Sequence, residues 1–286
     1  MKLNSHQLEE LCHIAIEAAK KAGQLIADRS REQLTVNTKT GGDSLASQVF
    51  TEVDLACDKL ILEHLSPSIE KYDLALLSEE TTDDRSRFVK DYFWCIDPLD
   101  GTLPFIEQTD GYSVSIALVD KAGNPQVGVI YNPVDSTLYH AIKGAGAYKN
   151  NQKWQVPKPK QCLTLVCDRS FLSESIYKEI LNKLNVFSKD KLEIISHGGA
   201  AMNAMWVLEN HPALYFKFPK KQEGGGSLWD YAASACIYNE ISACAQSYDG
   251  DKLDLNRQES TFMNHKGILY ASDSTMADAI RNLFIQ

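Results

Sequence analysis

Within this 286-residue chain, the residues whose types and spacing point most directly to chemistry are Asp97-Pro98-Leu99-Asp100-Gly101-Thr102. The two aspartates are three residues apart and Pro98 fixes the turn between them, so both carboxylates can converge beside the Leu99 carbonyl. Carboxylates that close repel each other unless a shared proton or a cation neutralises them. Oxygen-only donors select a hard ion such as Mg²⁺, which takes its ligands from water, carboxylates and phosphate oxygens. Gly101 and Thr102 add two backbone N–H groups, and Pro104 suits the first turn of a helix, where its missing donor costs nothing. A helix opening there would turn its N-terminus toward the ion and receive an anion. Taken alone, the hexapeptide is equally a capped turn with two solvated aspartates.

The hydrophobic pattern contains elements able to hold that stretch. Tyr92-Phe93-Trp94-Cys95-Ile96 reads as a buried strand running into Asp97, and Ala75-Leu76-Leu77 as another running into Ser78-Glu79-Glu80. Open α/β sheets tend to place their chemistry at such strand ends. Leu8, Leu11, Cys12, Ala15, Ala18, Ala19, Ala22, Leu25 and Ile26 predict a long first helix. Residues 30–48 are polar and read as a loop containing Lys39. A second helix is expected from Thr51 to Leu65, ended by Ser66-Pro67. Strands at Tyr112–Val119, Val127–Tyr131 and Leu138–Ile142 follow.

Asn150–Lys160 is polar with two prolines and marks a boundary inside one compact unit, dividing it into halves 1–152 and 153–286. Beyond it the pattern predicts strands at Leu163–Val166, Leu192–Ile195, Ala213–Phe218 and Gly267–Ala271. Helices are expected near Glu174–Leu184, Ala200–Leu208 and Leu228–Tyr238, with one more at the end. Such mixing predicts a layered α/β (α+β) architecture.

Composition excludes several classes of function. Lys and Arg number 29 against 38 Asp and Glu, a net charge of -9, which argues against a nucleic-acid polymer as partner but not against a small phosphorylated molecule. The seven cysteines are odd in number, scattered and without a C-x-x-C pair, as expected of a reduced, cytoplasmic protein. Neither a signal peptide nor an apolar run near the ~20 residues of a membrane span is visible, so no membrane partner is expected. The histidines show no zinc-ligand spacing, and no phosphate-loop or dinucleotide glycine motif occurs.

Four motifs together resemble the inositol monophosphatase superfamily. Trp94 to Thr102 is similar to its first signature, W-x-I-D-P-L-D-G-T, and Trp229-Asp230-Tyr231-Ala232-Ala233 to its second, W-D-x-A-A. Glu79-Glu80 matches its upstream acid pair, and Thr51-Glu52-Val53-Asp54 its T-x-x-D, all in the family's order. The resemblance implies an αβαβα sandwich and a Mg²⁺-dependent phosphatase with two or three ions per site. One ion would be held by Glu79, Asp97 and the Leu99 carbonyl, another by Asp97, Asp100 and Asp230. Asp54 and Thr102 would orient and deprotonate the attacking water. The Gly101 and Thr102 amides would receive the phosphate. Glu80 would stand near the cluster and Ser196 near the substrate. A homodimer is common in the superfamily.

The substrate is less legible. Leu214-Tyr215-Phe216-Lys217-Phe218-Pro219 resembles the bacterial 3'(2'),5'-bisphosphate nucleotidases, where a basic residue at the position of Lys217 suits a second phosphate. The resemblance therefore leans to hydrolysis of adenosine 3',5'-bisphosphate to AMP. Glu223, seven residues before Asp230, instead matches the glutamate that inositol monophosphatases keep for sugar hydroxyls. Leu103-Pro104 departs from both types. A non-catalytic ligand-binding protein on the same fold is a further alternative, which would be marked by a missing ligand or a replaced Thr102. Lys39 lies where relatives carry a mobile element.

Overall fold

The structure, a computed structural model, describes residues 2–30, 36–38, 49–189 and 191–284. Helix α1 (Ser5–Arg29) starts with a capping box: the Asn4 side chain accepts the Gln7 N–H at 3.0 Å, and Gln7 Oε1 accepts the Asn4 N–H at 2.9 Å. Strands β1 (Val36–Thr38) and β2 (Val49–Thr51) pair antiparallel. Helix α2 (Glu52–Tyr72) corrects one expectation, because Pro67 lies inside it. A proline leaves the carbonyl four residues back without its helical donor, and Ser66 Oγ covers that Glu63 carbonyl at 3.2 Å. Burial of Leu65, Ser68 and Tyr72, with Trp94 Nε1 donating to Ser68 Oγ at 3.0 Å, carries the helix on to a left-handed Asp73.

A seven-stranded sheet comprises β3 (Ala75–Ser78), β4 (Tyr92–Asp100), β5 (Ser113–Asp120), β6 (Pro125–Asn132), β7 (Thr137–Ile142), β8 (Gly146–Lys149) and β9 (Gln152–Lys153), in that spatial order. Only β3 and β4 run parallel. The short helix α3 (Thr102–Ile106) leaves the end of β4. A five-stranded sheet, ordered β11-β10-β12-β14-β13, is built from β10 (Leu163–Val166), β11 (Leu192–Ile195), β12 (Ala213–Lys217), β13 (Cys244–Gln246) and β14 (Ile268–Ala271). Helices α4 (Tyr177–Ser188), α5 (Ala200–Glu209), α6 (Leu228–Ile241) and α7 (Ser274–Phe284) complete the chain.

The layers follow from strand periodicity. Trp94 and Ile96 of β4 face α1 and α2, whereas Phe93 and Cys95 face α5 and α6. On the second sheet, Tyr215 faces α5 and α6, while Leu214 and Phe216 face α4 and α7. The result is the expected αβαβα sandwich, with α5 and α6 buried between the sheets. Helix α6 lies so close to β6 that a Cβ on Gly128 would stand 2.4 Å from the Ala233 carbonyl oxygen, so only glycine fits there. This contact sets the depth of the helix that carries Asp230. Among the described residues, no helix is long and apolar enough to cross a membrane.

Candidate metal centre

Asp97 and Asp100 share a face because β4 bulges. Asp97 pairs with Ser115 and Asp100 with Ser113, so three steps along β4 oppose two along β5. In a regular strand, residues three apart point to opposite faces; the extra residue restores them to one. Pro98 sits within the irregularity, where no ladder N–H is required of it. Gly101 then turns the chain at φ 88°, and a Cβ on it would lie 2.8 Å from the Gly111 carbonyl oxygen. That turn opens α3 at Thr102.

Two more acids arrive by one local device used twice. At the start of α2 the Thr51 N–H donates to Asp54 Oδ2 at 2.8 Å, and at the start of α6 the Ser227 N–H donates to Asp230 Oδ2 at 2.6 Å. Each is a capping box whose third residue is an aspartate. The cap and the site acid therefore coincide in Asp230 rather than compete.

Carboxylate oxygens of Asp97, Asp100 and Asp230 lie within 4.8 Å of one another. Asp97 and Asp230 are hydrogen-bonded to each other. Both Asp100 oxygens accept N–H groups from the first turn of α5, from Ala200 and Ala201, at 2.9 Å each. Glu79 follows β3, donates its N–H to the Ile96 carbonyl at 3.1 Å, and adds its charge to the field at all three aspartates. Burial, then the neighbouring acids, push Asp97 well above the usual carboxylate range. Burial and the Asp230 charge raise Asp100 to about 8 against the pull of the α5 amides. Burial and Glu79 raise Asp230 to about 6. Buried oxygen donors that raise one another's pKa in this way would be relieved by a cation, and the set suits a hard divalent ion such as Mg²⁺.

Beside the cluster, Thr102 Oγ1 lies 3.0 Å from Asp54 Oδ1 and 3.3 Å from the Leu99 carbonyl oxygen. Asp54 also accepts the Thr51 hydroxyl at 2.6 Å, and burial raises its pKa. Two supports escaped sequence reasoning. Asp58, one turn beyond Asp54, accepts the hydroxyl of Ser78, the residue before Glu79. The amides that grip Asp100 follow Gly198-Gly199, a glycine pair ahead of an alanine-rich helix, which was the signal available.

The expected substrate residues are placed less closely. Ser196 follows β11 and is half-buried, two residues before the Gly198-Gly199 turn that borders Asp100. Lys217 ends β12 with its Nζ 2.6 Å from Asp168 Oδ2 and 5.7 Å from the ring centres of both Tyr215 and Tyr231. Burial opposes its charge, yet Asp168 and Tyr231 hold its pKa above the ordinary lysine value. Glu223 is exposed in the segment before α6, and Lys39 lies outside the described residues.

The Inositol monophosphatase family profile matches residues 7–283. Inositol monophosphatase 2 of Solanum lycopersicum is 30% identical over 90% of this chain and 94% of its own length. Nus factor SuhB of Pasteurella multocida is 29% identical over 85% of this chain and 87% of its own. The crystal structure of extragenic suppressor protein suhB from Bartonella henselae superposes with a TM-score of 0.77 at 22% identity, covering 97% of this chain and 99% of that one. With fold, motifs and acid centre in agreement, the chain belongs to the inositol monophosphatase family and is a Mg²⁺-dependent phosphatase.

Proposed function

We propose that this phosphatase hydrolyses the monophosphate ester of a small polyol, inositol monophosphate being the first candidate, with the roles at the acid centre divided as follows. Glu79, Asp97 and the Leu99 carbonyl hold one Mg²⁺, and Asp97, Asp100 and Asp230 hold another. When bound, the metal supplies a lowered pKa for water and a counter-charge for the phosphoryl group. Thr102 orients the attacking water through its hydroxyl, and Asp54 accepts the proton that Thr102 passes on. Backbone N–H groups of Gly101 and Thr102 receive the phosphate at the start of α3, and Ser196 and Glu223 meet the alcohol side. The observation that carries this reading is the convergence of Asp97, Asp100 and Asp230 within 4.8 Å, beside the 3.0 Å contact of Thr102 with Asp54.

A polyol is favoured over a bisphosphate nucleotide because the charge of Lys217 is already met by Asp168 at 2.6 Å. The similarity to the Solanum lycopersicum inositol monophosphatase supports the same choice. Adenosine 3',5'-bisphosphate remains the second reading, because the Lys217 charge reaches Asp230 and could reach a second phosphate if the Asp168 pair opened. Phosphate release from inositol 1-phosphate and from adenosine 3',5'-bisphosphate, compared at fixed Mg²⁺, separates the two. A higher kcat/KM for the inositol ester is expected; a clear preference for the bisphosphate overturns the polyol reading.

A further inference from the structure

The segment 254–264 contributes none of the acids above, yet its hydrogen bonds reach both walls of the centre. On one side stands Arg87, 1% exposed, in the turn that follows Glu79 and Glu80. Its Nε lies 2.9 Å from Asp83 Oδ2, its Nη1 donates to Asn256 Oδ1 at 2.6 Å, and its Nη2 donates to the Arg257 carbonyl at 3.0 Å. On the other side Arg257 Nη1 donates to the Phe262 carbonyl at 2.7 Å and to Asn264 Oδ1 at 3.1 Å. Asn264 then holds the loop ahead of α6: its Nδ2 donates to the Lys220 and Gln222 carbonyls at 3.2 and 3.0 Å, and its carbonyl accepts the Lys220 N–H at 2.9 Å. Two further backbone bonds, Met263 N–H to the Gly226 carbonyl and Leu228 N–H to the Thr261 carbonyl, both at 2.9 Å, close the far end.

The pinned loop contains Gly224-Gly225-Gly226, and glycines lose the most conformational freedom when ordered. Without the strap, the loop would have to be ordered at the moment of substrate binding, which weakens affinity. Asp230 does not depend on Asn264, because its carboxylate is held by the Ser227 N–H at the start of α6, and Ser227 and Leu228 meet the strap separately, at Phe262 and Thr261. We infer that residues 254–264 form a selectivity strap, in which Asn264 is a positioning residue that pre-orders loop 219–226 against the leaving-group alcohol, while Asp230 is held without Asn264.

This inference rests on the phosphatase reading, so its test has one readout that does not. Hydrogen exchange of loop 219–226 is compared in the full-length wild type, Asn264→Ala and Asn264→Asp. The aspartate keeps an acceptor for Arg257 but loses the donors to Lys220 and Gln222. Both variants should exchange the loop amides about tenfold faster or more, with α2 and α6 unchanged. At saturating Mg²⁺ both should raise KM for inositol 1-phosphate by about tenfold, with kcat within about twofold and KM for p-nitrophenyl phosphate within about twofold. Unchanged loop exchange, or an equal KM shift for both esters, overturns the strap; so does a wild-type Asn264→Asp. Failure to hydrolyse either ester while loop exchange responds would strike the phosphatase reading instead.

Discussion

Two buried ionic clusters stand side by side in this fold and are balanced in opposite ways. Arg87 is one cation surrounded by the Asp83 carboxylate and the neutral oxygens of Asn256 and Arg257, so each of its three nitrogens has a partner. Asp97, Asp100 and Asp230 face one another with Glu79 adding further negative charge. Only three residues separate Glu79 from Asp83. A buried charge that is paired fixes geometry, whereas buried like charges left unpaired are stable only if a proton or a cation joins them. The contrast distinguishes a staple from a site without reference to any relative.

Breaking the acid side should have the largest consequence. Asp97→Asn or Asp230→Asn is expected to lower kcat/KM by on the order of 10³ in phosphate release, while circular dichroism shows the fold retained. Because each change also removes one acid from a mutually repelling set, the metal-free variants should melt no lower than the wild type near pH 8. Breaking the staple should do the reverse. Arg87→Met leaves the Asp83 carboxylate and two oxygens without their donors, and a stability loss of about 3–5 kcal/mol in urea unfolding is expected, equal with and without Mg²⁺. A Mg²⁺-dependent loss would mean that Arg87 belongs to the site.

Glu79→Gln sharpens the comparison at the boundary between the two clusters. Half-saturation by Mg²⁺ should rise by about 10–100-fold with kcat at saturation much less affected. The smallest expected effect is on stability against pH. Asp230 at about 6 and Asp100 at about 8 stand above their unfolded value of about 3.9. Raised acids contribute stability below the unfolded value and lose it as pH climbs through the folded one. The metal-free protein should therefore melt a few degrees lower at about pH 9 than at about pH 5, and Mg²⁺ should recover more at the higher pH. A flat melting profile would contradict the claim that these acids repel.

Much of the acid centre was legible because its signals are local. Asp97–Thr102 is one bulge and turn, and Asp54 and Asp230 each follow a Thr or Ser by three residues in a capping box. Strands such as Leu163–Val166 and Leu192–Ile195 were readable from short apolar runs. What escaped was set by distant partners. Pro67 reads as a helix end until Ser66 is seen to cover the Glu63 carbonyl and Tyr72 to be buried. The partner of Lys217 has no local signal either, because Asp168, 2.6 Å from it, is 49 residues away in sequence. The Gly198-Gly199 pair is the one local hint of the Ala200 and Ala201 amides on Asp100, and the strap has no local pattern that announces it.

The central claim is that the Asp97–Asp100–Asp230 cluster is a cation site holding protons that Mg²⁺ displaces. Calorimetric titration of Mg²⁺ into the wild type and Asp97→Asn at about pH 7, repeated in buffers of different ionisation enthalpy, tests it most directly. The account predicts saturable binding with net proton release in the wild type and loss of both in the variant. Equal Mg²⁺ binding by the two proteins, or wild-type binding with no proton release, would contradict it.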